Sequence, residues 1–168
     1  QWRASQGQDT SRCGTLGTQD QEAEIRMSKI VTLRGTATVP NVEKILLFDG
    51  SFETAYKIKG FQIVASDPAS SQETAAKITT IELPTANRWN WAKNTEVAWA
   101  SWGTPTSTRF SNYSNWDEEA IIVEDLFLDA GIGSSGDEIN WELVLEQVKV
   151  TDSTAALAMV SARAQGSD

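Results

Sequence analysis

The stretch from Glu119 to Val160 reads E-A-I-I-V-E-D-L-F-L-D, then A-G-I-G-S-S-G-D-E, then I-N-W-E-L-V-L-E-Q-V-K-V, and closes with T-D-S-T-A-A-L-A-M-V. Its pattern predicts strand, loop, strand and helix. Ile121, Val123 and Phe127 share one parity and Ile122, Leu126 and Leu128 the other, so both faces of the first strand carry apolar weight. Such a strand belongs inside a sheet covered on both sides or packed on a partner sheet. Trp141, Leu143 and Leu145 then alternate with Asn140, Glu142 and Val144, the period of a second strand. The glycine-rich Gly131–Gly136 segment between them lacks the Lys-Ser/Thr of a phosphate loop and opens a strand rather than a helix, so it reads as a flexible hairpin connection.

Working outward, Lys29–Val39 is rich in β-branched residues and ends at Pro40-Asn41, which predicts a first strand. Lys44–Phe48 is a second, stopped by the turn pair Asp49-Gly50. In Ala55–Ala65, Tyr56 and Ile58 share one side, whereas Phe61 and Ile63 return in the opposite parity. Gly60 sits at that slip, so a β-bulge is expected there. Ala76–Leu83 and Glu96–Trp102 are further strands, giving seven with room for an eighth. A C-terminal helix starts at Asp152 or Ser153, with Ala156, Met159, Val160 and Arg163 near one face and Ala155 and Ala158 beside it. That smooth face suits close packing on a sheet. The expected fold is all-β: a two-sheet antiparallel sandwich, jelly-roll-like, with a short C-terminal helix, and residues 27–168 form its single domain. Residues 1–26 are polar and aperiodic and are expected to be a disordered or loosely attached leader. Met27 reads as the natural start, with an arm reaching a neighbouring subunit as the rival reading; the intact mass of native material separates the two.

Composition narrows the chemistry. The chain has 168 residues, with 14 Lys and Arg against 23 Asp and Glu, a net charge of −9 that repels nucleic acid and anionic lipid. Cys13 is the only cysteine, so no intrachain disulfide can form. Histidine is absent, which removes the usual general base and common zinc ligand and makes Ser-His and Cys-His arrangements unattainable. No catalytic signature is present, and a non-enzymatic role is expected. No apolar run approaches the roughly 20 residues that a spanning helix needs.

Two groups of residues are candidates for contact or ligand binding. Trp89 and Trp91 flank Asn90, two apart, and in an extended segment their rings point the same way. With Trp102 they can plug one end of the core, or form a stacking platform for sugar rings or another subunit. Phe110, Tyr113 and Trp116 lie at spacing three in the polar segment Gly103–Asp117, which reads as an ordered, contact-making loop. The second group is acidic: Asp125 and Asp129, with Asp137 and Glu138 across the loop, are candidate calcium ligands. Their alternative role is a solvated edge that deters sheet aggregation. No other cofactor is indicated.

The cadence D-G-S-F-E-T-A-Y-K-I-K-G-F-Q-I, then E-E-A-I-I-V-E-D-L-F-L-D, then I-N-W-E-L-V-L-E-Q-V-K-V-T-D, with a closing A-A-L-A-M-V-S-A-R-A-Q, resembles small virion proteins of environmental phages and single-stranded DNA viruses. The resemblance covers Asp49–Gln165 and carries over no site residue. It implies a bacteriophage-type viral protein made in the host cytoplasm and residing in the virion: a jelly-roll capsid or surface subunit that self-associates or meets other virion proteins. Removing four acids and three arginines of the leader leaves 19 acids against 11 bases from Met27 onward, a net of −8. That balance suits an outer-shell or decoration subunit better than one lining a genome. The rival from another class is a carbohydrate-binding module that binds glycan through exposed tryptophans.

Overall fold

The computed structural model describes residues 29–50, 52–67, 72–83, 88–103, 112–151, 156–158 and 160. The expected leader, Phe110 and the start of the helix lie outside these residues. The strands are β1 (Lys29–Thr38), β2 (Asn41–Ile45), β3 (Thr54–Ala65), β4 (Glu73–Thr79), β5 (Glu96–Gly103), β6 (Tyr113–Trp116), β7 (Leu126–Ile132) and β8 (Glu138–Lys149). Two antiparallel sheets form a sandwich, one ordered β1-β8-β3 and the other β2-β7-β4-β5-β6. The fold class expected from the sequence is the one observed.

The pairing is that of a long antiparallel ribbon wrapped on itself. β1 faces β8, β2 faces β7 and β4 faces β5, while β8 also takes β3 and β7 also takes β4. This is the jelly-roll order. One strand departs from a full wrap: β6 pairs with β5 rather than with β3. It still reaches β3, because the Ser114 hydroxyl donates to the Phe61 carbonyl. Wrapping sends the chain back and forth between two poles. The connections after β2, β4, β6 and β8 lie at the pole where β1 begins; those after β1, β3, β5 and β7 lie at the other.

The core lies between the sheets. Ile58, Phe61, Ile139, Leu143 and Leu145 from the three-stranded sheet and Ile78, Leu126 and Leu128 from the other are each at most 1 % exposed. Ala76, Ala98, Ala100 and Ala130 thin the inner face of the five-stranded sheet, leaving room for the bulk of Phe61 and the leucines. β8 shows why strict alternation reads well. Its Ile139, Leu143 and Leu145 turn inward, and Asn140, Glu142 and Glu146 outward.

Four expectations need correction. The strand expected over Glu119–Asp129 begins only at Leu126, and Ile122 upstream makes an isolated bridge to Tyr56. Both parities are apolar because Ile122 enters the main core while Val123 joins Ala55 in a second, small one. The Gly131–Gly136 segment is not a hairpin turn, since β7 and β8 belong to different sheets. It crosses between them and is bonded to the other crossing: Val39 N–H donates to the Asp137 carbonyl and Gly136 N–H to the Val39 carbonyl, each at 2.7 Å. The segment read as a loop from Gly103 to Asp117 contains β6. In the helical segment at residues 156–158 and 160, Ala156 and Val160 are exposed and only Ala158 is partly covered, so the expected sheet-facing surface is not formed by those two. The bulge at Gly60 is present as a register shift between Ile58 and Gly60.

Candidate functional site

The outer face of the five-stranded sheet carries an aromatic corner on a buried ionic base. β4 and β5 set Lys77 opposite Trp99, and β4 and β7 set Lys77 opposite Asp129. Lys77 Nζ lies 2.8 Å from Glu96 Oε1 and 3.8 Å from Asp129 Oδ2, and the side chains of the closer pair are each 4 % exposed. Nζ also donates to the Arg88 carbonyl at 3.0 Å. The second Glu96 oxygen accepts the Asn90 backbone N–H at 2.7 Å and the Trp99 indole N–H at 3.1 Å. Buried charges persist only when paired and hydrogen-bonded. Here the partners include two backbone groups of the segment entering β5, so the network fastens that segment over the sheet. At this exposure the two carboxylates and the ammonium are closed to a substrate, and their chemistry is anchorage.

The anchored segment carries the rings. Trp89 and Trp91 lie 5.7 and 6.2 Å from Tyr113 between ring centroids, the second pair within 10° of parallel, and Trp91 lies 6.0 Å from Trp99. Trp91 is 62 % exposed. Tyr113 reaches this face because β6 places it opposite Ser101, while Trp116, opposite Ala98, turns to the core. Three residues apart on a strand means opposite faces, so the spacing of three separates the two rings. Trp102 also packs on the core. The structure therefore unites Trp89, Trp91 and Tyr113, and directs Trp102 and Trp116 inward. Trp99 completes the corner and went unrecognised as a site residue, as did Lys77. Its positive charge, set between Ala76 and Ile78 as the one basic residue of β4, was the available signal.

The four acidic candidates do not converge. Asp125 Oδ1 accepts the N–H groups of Leu47 and Phe48 at 2.9 and 3.0 Å, and its Oδ2 lies 2.8 Å from Lys44 Nζ. Burial pushes the Asp125 pKa up, but the Lys44 hydrogen bond, the two N–H groups and the Lys44 charge outweigh it and hold the carboxyl below its ordinary value. Asp129 sits beside Lys77 under the aromatic corner. Asp137 accepts from Ser134 N–H at 3.1 Å and closes the crossing loop, and Glu138 is exposed at the start of β8. Among the described residues no group of three or more acidic or cysteine side chains is placed to hold a metal ion.

A second feature lies at the pole where β1 begins. Leu46 is 76 % exposed and Phe48 and Phe52, 5.1 Å apart between centroids, are 43 and 42 % exposed. Lys44, Thr80, Glu124, Asp125 and Phe127 complete with the two phenylalanines a cleft of about 260 Å³. Ile30 is exposed near the same end of β1, and Ala158 packs beside Thr80 and residues 121–125, bringing exposed Leu157 and Val160 there too. Six of the eight large apolar side chains exposed among the described residues thus gather at one pole.

The fold and these surfaces define a jelly-roll β-sandwich with an apolar pole and an anchored aromatic corner. No family model matches the chain, and no curated protein matches it. Among the described residues no helix is long and apolar enough to cross a membrane.

Proposed function

We propose that this chain is a virion structural protein: a self-associating jelly-roll subunit, not an enzyme, that serves as a capsid, outer-shell or decoration component. The observation that carries the reading is the gathering of Ile30, Leu46, Phe48, Phe52, Leu157 and Val160 at one pole. Exposed apolar side chains concentrated at one end of a molecule mark association sites on proteins of this size, and Lys44, Glu124 and Asp125 rim the cleft that Phe48 and Phe52 line. The jelly-roll order is compatible with shell subunits but is shared with lectins and enzymes, so it supports without deciding. The acidic balance favours an outer position, because a surface of net charge −9 does not neutralise phosphates. Light scattering after size exclusion, over a range of salt and Ca²⁺, tests the reading. Concentration-dependent assembly that F48D/F52D abolishes is expected, with particles or sheets visible by electron microscopy. A strict monomer under all conditions overturns it.

One observation favours a second reading, a carbohydrate-binding module. Trp91 is exposed and held nearly parallel to Tyr113 by an anchored segment, as a stacking surface for a sugar ring requires. Tryptophan fluorescence that ignores a broad glycan panel removes this reading.

A further inference from the structure

The outer face of the three-stranded sheet carries a groove of about 510 Å³, away from both the aromatic corner and the apolar pole. Its floor is two neighbouring rungs across β1, β8 and β3: Arg34–Glu142–Gln62 and Thr36–Asn140–Val64. In the first, Arg34 Nε donates to Glu142 Oε2 at 2.5 Å and Gln62 Nε2 to Glu142 Oε1 at 2.9 Å. In the second, the Thr36 hydroxyl donates to Asn140 Oδ1 at 3.2 Å. A carboxylate only accepts, so the Gln62 amide must present its nitrogen to Glu142 and its oxygen outward. The groove is then left with the Arg34 terminal N–H groups, the Gln62 oxygen and the Asn140 amide N–H, beside Val64, whose side chain is 36 % exposed.

From this we infer a second binding site, for a neutral oligosaccharide. Sugar hydroxyls donate and accept at once, and this floor offers both capacities within two rungs. The charges are matched inside the groove, Arg34 to Glu142, so it gives an ionic ligand no net counter-charge, and the acidic protein around it repels anions. An extended peptide is the poorer occupant. Peptides bind sheets by adding to an edge through main-chain hydrogen bonds, whereas β8, at the centre of this floor, is already paired on both sides. The volume lies in the range of small-ligand sites, roughly 300 to 1,000 Å³. The rungs fix the side chains before any ligand arrives, which reduces the ordering loss on binding. The site is independent of particle assembly and of the aromatic corner.

The test titrates the full chain with cello-, manno-, xylo- and galacto-oligosaccharides, and with a heparin oligosaccharide as the anionic control, followed by amide NMR shifts. At least one neutral oligosaccharide is expected to bind with a Kd between about 10 μM and 1 mM. Its shifts should map to residues 34–36, 62–64 and 140–142. Q62A and N140A, at exposed positions, should each weaken binding by about tenfold, and W91A should leave it unchanged. The inference is overturned if no neutral oligosaccharide perturbs these amides up to about 10 mM, in the millimolar regime where weak sites are detected. It is also overturned if heparin alone binds, if W91A abolishes binding, or if Q62A and N140A leave the affinity unaltered. If Q62A and N140A shift the oligomeric mass while no sugar binds, the face is a subunit contact instead.

Discussion

Replacing Lys77 with methionine would leave Glu96 and Asp129 facing each other in a buried site without their shared cation. Breaking a buried pair from one side costs about 3–5 kcal/mol. Chemical denaturation of K77M should show a loss of that size, and K77M/E96Q/D129N should recover most of it, because the stranded charges go together. A second residue-scale prediction concerns Asp125. Its folded pKa lies below the ordinary value of 3.8, so the carboxylate contributes stability that is fully present above the unfolded pKa and disappears as pH falls through the folded one. Melting from about pH 6 to about pH 2.5 should show that loss at the acid end. D125N should be less stable at neutral pH by about 1–3 kcal/mol and should flatten that part of the profile. A D125N profile parallel to the wild type would show that the loop after β2 does not draw on this carboxylate.

Elements differ in what their glycines do. Gly35 on edge strand β1 lies opposite Trp141, and a Cβ there would come within 2.7 Å of the indole. G35A should therefore destabilise by about 1–3 kcal/mol through overpacking, read from the denaturation midpoint. Gly60 marks the bulge in β3, yet a Cβ there meets Val144 at an ordinary 3.6 Å. G60A should cost less than about 1 kcal/mol, because the two-for-one count of residues defines this bulge and not the missing side chain. Elements also explain how far the sequence was legible. β8 and the inner half of β3 showed their faces because one side is wet and the other dry. β4 and β5 are buried on both sides, so alternation gave no face, and the reason lies in the segment 88–95 between them, which folds back over the outer face through Lys77 and Glu96 and carries no strand pattern of its own. The short β6 was hidden by its serine and asparagine, residues that usually signal loops. For the candidate site, paired rings at Trp89 and Trp91 were visible from their spacing, but the inward turn of Trp102 and Trp116 depends on strand register. The polar rungs at Arg34–Glu142–Gln62 join residues more than 70 apart, which a local pattern cannot bring together.

At the scale of the whole molecule, four of the six strand pairings join strands that are not consecutive in sequence. β1 must find β8, with Lys29 opposite Gln147, before the three-stranded sheet exists. Such topologies fold slowly, in milliseconds to seconds, and stopped-flow refolding should place this chain there; a microsecond phase carrying the full amplitude would contradict it. Net charge acts at the same scale. With −9 to disperse, association of like subunits should strengthen as added salt screens their repulsion, and sedimentation at low and moderate ionic strength reads this directly.

The strands that open and close the sandwich are antiparallel neighbours, and Lys29 and Lys149 leave it at the same pole. Tension applied between these two points would peel rungs one at a time, as a zipper opens, and would not shear them together. A tether at either point would also emerge on one side, leaving the turns at residues 39–40 and 133–137 to face the opposite direction.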